Sequence, residues 1–276
     1  MCATLEVTVG MADVDAYAFL YYANYIKYNE RAASLAAETP LVLSEVENMT
    51  FPLPVHWGSE VTIHTFLCPD DAGPTAGSVR LLHAWTVASP ESSGMHAAEA
   101  LKPVVYNTSV ATYTTPGAAS SMAASLLALR PPPADHPLYA PLMACVRENR
   151  TRAPAFPFKC ARLAPTRRAT MRVSPDAIGL GGRLQPSVAM DLFERHRTAI
   201  IGGQPSLASL QEECVAVVVC RLRGLRLGGA VPRLGSTLQC VSAEVVSCGG
   251  LIFDVLQRIV SVDADADGGE EADPTE

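Results

Sequence analysis

The chain has 276 residues, 49% of them hydrophobic, and a formal net charge of −7, enough to bury a large core and, at about 100 to 200 residues per domain, to form two domains. Its longest apolar runs, such as Cys214 to Cys220, fall far short of the roughly 18 residues that cross a bilayer, and MCATLEVTVG has no basic-then-apolar leader, so a soluble cytoplasmic protein with no membrane span is expected. The charge is uneven: residues 1–129 hold 4 Lys+Arg against 12 Asp+Glu, 130–172 hold 9 against 2, 173–261 hold 8 against 7, and 262–276 hold 7 acids and no base.

The first predicted element is a strand from Leu5 to Val9. It ends at Asp13 and Asp15, and after a short connection, Ala16 to Tyr22, a helical pattern runs through Tyr25, Ile26, Tyr28, Ala32, Ala33 and Ala36. The first N–H groups of a helix lack intrahelical acceptors and sit at the positive end of its dipole, so they can polarise a carbonyl. An Asp beside them could attack that carbonyl or activate a water, the minimum equipment for cleaving a thioester. Four strand candidates follow, Leu41 to Phe51, Glu60 to Cys68, Arg80 to Ala88 and Pro103 to Tyr113, each bounded by Pro, Gly, Ser or Asp. One strand, one long helix and a run of strands is an α+β order, with the helix packed on an antiparallel sheet.

Asp13, Asp15, Tyr22, Asn24, Tyr25, Glu30, Arg31 and Ala32, as D-x-D, aromatic-x-N-Y and E-R-A, resemble the signature of hot-dog-fold thioesterases of the 4-hydroxybenzoyl-CoA thioesterase type. The resemblance implies a central helix wrapped by an antiparallel sheet, with Asp15 as the catalytic carboxylate and the backbone N–H of Tyr22 as the donor that polarises the thioester. It places Tyr17 and Asn24 at the substrate-binding site. Tyr17 and Ala18 depart from the family's pattern, which has small residues there, often Gly; a bulky Tyr17 would reshape the acyl pocket. An Asp near a helix start is often only a cap, but the surrounding pattern favours catalysis for Asp15. Asp13 reads as a residue that orients the loop, and Glu30 and Arg31 read as structural.

The second half repeats the order. A strand from Ala169 to Ser174 leads to Asp176, a connection with Gly179, Gly181 and Gly182, and a helix through Val188, Met190, Leu192, Phe193, Arg197 and Ile200. Strands are expected at Glu213 to Leu227, Ser236 to Ser247 and Leu251 to Val262. Glu194-Arg195 superimposes on Glu30-Arg31, so the chain reads as two tandem hot-dog domains: residues 1–114 and 168–262, joined by a Pro/Ala-rich basic linker over 115–167 and followed by a disordered acidic tail over 263–276. Hot-dog domains commonly pair, which implies an intramolecular pseudo-dimer and leaves further homo-oligomerisation open. Asp176 is a candidate for a second site, although it lies three residues farther from Glu194 than Asp15 does from Glu30. The position of Tyr22 becomes Pro186, which has no N–H to offer. One competent site, in the first copy, is expected.

Within the linker, PGAASSMAASLLALR could form a short helix and RPPPADHPLYAP is expected to be extended. The cluster Arg147, Arg150, Arg152, Lys159, Arg162, Arg167 and Arg168 reads first as a solvated linker and alternatively as a contact for the phosphates of coenzyme A. The eight cysteines show no C-x-x-C pair and read as reduced. None of the six histidines lies in the loop before either helix, which weakens proton abstraction next to a carbonyl. No metalloprotease, serine-hydrolase, P-loop or dinucleotide fingerprint occurs. The expectation is therefore an acyl-CoA or acyl-carrier thioester hydrolase that needs no cofactor or metal, with no nucleic-acid partner. The alternatives are a non-catalytic acyl-thioester binding protein and, behind it, an acyl dehydratase or hydratase.

Overall fold

The computed structural model describes residues 2–15, 18–69, 77–87, 103–115, 126, 128–149, 169–213, 218–227, 232–247 and 252–262. They fall into two compact units: residues 1–153 with 218–229, and residues 154–217 with 230–276.

In the first unit the order is β1 (Ala3–Thr8), α1 (Tyr22–Ala37), β2 (Val42–Thr50), β3 (Glu60–Leu67), β4 (Ser78–Val87), β5 (Val105–Thr114), α2 (Tyr139–Asn149) and β7 (Arg221–Arg226). The strands form one antiparallel sheet in the order β1-β3-β4-β5-β2-β7. Each expected strand of the first half is present to within two residues.

α1 buries Tyr22, Ala23, Tyr25, Ile26, Tyr28, Asn29, Ala32, Ala33, Ala36 and Ala37, the three-and-four spacing of one helical face. The alanines at its C-terminal end leave space for close packing. The helix stops at Glu38, whose φ of 51° is left-handed and whose N–H returns to the Leu35 carbonyl.

β4 is buried on both faces from Leu81 to Thr86 because both are covered. Trp85 meets α1: it packs against Tyr25 at 4.6 Å and Tyr28 at 6.0 Å between ring centroids, and its indole N–H donates to Asn29 Oδ1 at 2.8 Å. Asn29 Nδ2 in turn donates to Ser109 Oγ at 3.0 Å. On the opposite face Leu82 and Ala84 cluster with Phe66, Cys68, Val110, Leu138, Leu142, Cys145 and Val146. Burying a leucine of this kind stabilises by about 1.5–3 kcal/mol, so α2, which lies in the stretch read as a linker, is held by the sheet of the first unit. The basic residues from Arg150 to Arg168 lie outside the described residues.

The strand expected over Glu213 to Leu227 differs most from the sequence reading. A further helix, Gln204–Glu212, precedes it, and the strand, reduced to Arg221–Arg226, pairs with β2 from Glu45↔Arg226 to Thr50↔Arg221. Ion pairs Arg226–Glu45 at 3.2 Å and Arg221–Glu148 at 2.5 Å accompany it. An unpaired β2 edge would expose backbone N–H and C=O groups, and β7 satisfies them.

In the second unit β6 (Ala169–Arg172), α3 (Pro186–Ile201), α4 (Gln204–Glu212), β8 (Thr237–Ser247) and β9 (Ile252–Ser261) follow one another, with the antiparallel order β6-β8-β9. Ala189, Met190, Leu192 and Phe193 form the buried face of α3. Gln257 on β9 ties it down, donating to the Phe193 carbonyl at 3.0 Å and accepting from Arg197 at 2.7 Å.

Glu30 gives the first unit a pH dependence. Its Oε1 accepts the Leu43 N–H at 3.0 Å, but burial outweighs that bond and raises its carboxyl from 4.5 to about 7. Between those values the folded state keeps a proton that the unfolded state has lost, so this group's contribution to stability falls as pH rises from about 4.5 to about 7. Glu30→Gln retains an acceptor for Leu43. In denaturant titrations from pH 4.5 to 8 it should remove that falling limb, worth up to about 3 kcal/mol, and be more stable than the parent at pH 8.

Candidate active site

The chain between β1 and α1 is organised by Asp13, which closes a single 3-10 turn at Met11–Asp13. Its Oδ2 accepts the Gly10 N–H at 3.1 Å and the Tyr28 hydroxyl at 2.9 Å. Its carbonyl accepts Asn24 Nδ2 at 2.9 Å and the Tyr21 N–H at 2.9 Å. The loop then doubles back through a Val14↔Leu20 bridge. Asp15 stands at its exposed turn: its N–H donates to the Phe19 carbonyl at 2.8 Å, and its Oδ1 accepts the Phe19 N–H at 3.2 Å. In these bonds its partner is the loop rather than the helix. The N-cap residue of α1 is Tyr21, which supplies no side-chain cap.

Tyr22 opens α1 and is buried, with its ring edge-on to that of Tyr21 at 4.7 Å. Asn24 sits in the first turn and serves the loop through Asp13. Tyr17 lies outside the described residues. Ala18 holds a left-handed φ of 59°, a conformation glycine adopts freely and alanine does not.

Two phenols stand behind the two carboxylates. Tyr25 is buried against Phe51 and Trp85; burial raises its hydroxyl pKa well above the ordinary value, and the charge of Asp15 adds in the same direction. Tyr28 is pushed up to about 12 by burial, with its Asp13 hydrogen bond and charge adding to the shift. Both phenols therefore remain protonated. Their signal in the sequence was two tyrosines three residues apart, on one helix face, after D-x-D.

A residue that local sequence could not place here is His56. The β2–β3 connection runs antiparallel to the loop, with Leu20 N–H to the Val55 carbonyl at 2.7 Å and Trp57 N–H to the Ala18 carbonyl at 3.2 Å. Phe19 and His56 are thereby paired, with rings edge-on at 5.0 Å. His56 is exposed, and so is Trp57, at 57%.

The same loop recurs before α3, and its hydrogen bonds fix its register. Gln185 N–H bonds to the Ala177 carbonyl at 2.9 Å as Tyr21 does to Asp13, and Gly179 N–H to the Arg183 carbonyl at 2.8 Å as Asp15 does to Phe19. The Ile178↔Leu184 bridge matches Val14↔Leu20. In this register no residue is inserted between loop and helix. Asp176 stands opposite Ala12, and the place of Asp15 is taken by Gly179. Asp176 is fully exposed, and its carboxyl is held below the usual range by the Ser174 hydroxyl and its own backbone. A Cβ at Gly179 would come within 3.1 Å of Gln185 Cγ, a tight contact that the Gln185 side chain would have to relieve. Ala177, Gly179, Ala189 and Leu192 replace Asp13, Asp15, Tyr25 and Tyr28 as a group.

Among the described residues no group of three or more His, Cys, Asp or Glu side chains could hold a metal ion, and no helix is long and apolar enough to cross a membrane. No protein-family model and no curated protein matches the sequence. Two of the matching solved structures align with nearly the whole chain. One is a provisionally assigned oleoyl thioesterase from Lactobacillus plantarum, at 10% identity and TM-score 0.58, over 95% of this chain and 92% of the other. The second is an acyl-ACP thioesterase from Bacteroides thetaiotaomicron, at 11% identity and TM-score 0.56, over 95% and 92%. The fold is α+β with two hot-dog domains in one chain.

The left-handed Ala18 gives a direct check on the loop. Ala18→Gly relieves the Cβ clash, offset in part by glycine's greater freedom when unfolded, and should raise stability by about 0.5–1 kcal/mol in a chemical denaturation series.

Proposed function

We propose that this protein hydrolyses acyl thioesters of coenzyme A or of an acyl carrier to the free acid and thiol, with Asp15 as the reacting carboxylate. The observation that carries the proposal is the placement of Asp15: an exposed carboxylate, held at 3.2 Å by the Phe19 N–H in the loop that delivers the chain to the start of α1. Likeness to two thioesterases over 95% of the chain supports the same chemistry.

In this reading the Tyr22 N–H polarises the thioester carbonyl, and Asp15 removes a proton from an attacking water. The C–O bond forms, the tetrahedral intermediate collapses, the C–S bond breaks, and the thiolate leaves to take up a proton. A preorganised oxyanion donor contributes about 2.7–4 kcal/mol, and a positioned base roughly a hundredfold to ten-thousandfold in rate. Attack by Asp15 on the carbonyl carbon, through an anhydride that water then opens, uses the same residues. Tyr17 and Asn24 complete the substrate-binding set, Asn24 by holding the loop. The site is confined to the first copy, because Gly179 and Pro186 supply neither carboxylate nor N–H at the matching places. The five described cysteines are all free thiols, which supports a reducing, cytoplasmic setting.

A second reading, an acyl hydratase or dehydratase, has one observation behind it: His56 reaches the loop of Asp15 through Phe19. Hydration of an enoyl thioester would consume its conjugated absorbance without releasing thiol, so the two readings separate in one cuvette.

Free-thiol release from a panel of aromatic and short to long aliphatic acyl-CoAs tests the proposal. Asp15→Asn keeps an acceptor for Phe19 and should leave the melting temperature nearly unchanged while lowering turnover at least about a hundredfold. Wild-type rates in the variant would sink the assignment. No thiol release from the wild-type protein would favour an acyl-thioester binding protein.

A further inference from the structure

The internal repeat provides a comparison within one chain. Both copies fold the loop before the helix with the same backbone bonds, so Asp13 and Tyr28 are not needed for the loop to form: Ala177 and Leu192 stand in their places and the second loop keeps its register. Only the copy that presents Asp15 has the bond between the Tyr28 hydroxyl and Asp13 Oδ2, at 2.9 Å. Tyr28 is itself fixed, lying 8% exposed with its ring edge-on to Trp85, a fully buried residue anchored through Asn29 to Ser109.

We infer that Tyr28 and Asp13 form a positioning pair for Asp15. The hydroxyl of Tyr28 transmits the rigidity of the sheet to the one loop that must hold a carboxylate at a set distance from its substrate. Asp13 receives this constraint at its carboxylate and passes it on along the backbone through Val14. The inference rests on the thioesterase reading, and neither residue is assigned contact with the substrate. A misplacement on the order of 1 Å can cost a hundredfold in rate, which is the effect the pair prevents.

The test measures kcat and KM for thiol release by wild type, Tyr28→Phe, Asp13→Asn and the double variant, each normalised to its folded fraction from circular dichroism, with Asp15→Asn alongside. Each single variant should lower kcat per folded molecule roughly 10- to 100-fold with KM little changed, and the double variant should lose no more than the worse single. Tyr28→Phe keeps the buried ring and is the variant on which the result turns; Asp13→Asn keeps an acceptor for Gly10. Unchanged kcat per folded molecule in Tyr28→Phe, whatever its melting temperature, would show that the bond only stabilises the fold and would overturn the inference. Losses that multiply in the double variant would also overturn it, because the two residues would then act separately. If the wild type is active, Asp15→Asn is dead and Tyr28→Phe is normal, this inference alone falls; if the wild type releases no thiol, the thioesterase reading falls and takes the pair with it.

Discussion

Asp13 is the tie by which the first copy's loop, whose backbone bonds the second copy forms without it, is fastened to α1 and the sheet beneath. Its carbonyl and carboxylate accept four hydrogen bonds, from Gly10 at the end of β1, from Tyr21 and Asn24 at the start of α1, and from Tyr28 two turns in. Each such bond contributes about 0.5–1.5 kcal/mol net, and more where the acceptor is ionised. Together they oppose the ordering cost of about 1–2 kcal/mol per loop residue. Asp15, two residues on, inherits a fixed position while remaining open to solvent.

Below that loop the constraint continues into the sheet through Trp85. Tyr25 and Tyr28 pack on its ring and Asn29 takes its N–H. Three neighbouring helical positions are thus referenced to one strand that is sandwiched between α1 and α2. Covering both faces of β4 stiffens this support, because neither side can relax toward water. The second copy has a smaller sheet among the described residues and keeps the shape of the loop without the two carboxylates and the two phenols.

Much of the fold was legible because its signals are local. The strand-forming runs of β2 to β5, bounded by Pro, Gly, Ser or Asp, and the three-and-four spacing of Tyr25, Ile26, Tyr28 and Ala32 each describe their own element. What was hidden depends on contacts distant in sequence. β7 joins the sheet of the first unit because β2 has an edge to satisfy, which nothing in RLRGLR announces. α2 has enough apolar residues to pack, but its place is set by Leu82 and Ala84 on the outer face of β4, far away in sequence. His56 reaches Phe19 through backbone pairing between two loops. The alignment of the second copy on Asp176 failed for a related reason: an acidic residue followed by glycine looked like the site, whereas the backbone bonds of Ala177, Gly179 and Gln185 set a register without insertion. In that register the carboxylate position is empty, and Glu194-Arg195 still falls on Glu30-Arg31.

The central claim is that a single carboxylate, in the first copy, carries the reaction. The measurement that tests it most directly is the initial rate of thiol release by Asp15→Asn and Asp176→Asn, run side by side on the best acyl-CoA substrate. The account predicts that Asp176→Asn keeps the wild-type rate and Asp15→Asn loses it. A rate that survives in Asp15→Asn and disappears in Asp176→Asn would contradict it and move the site to the second copy.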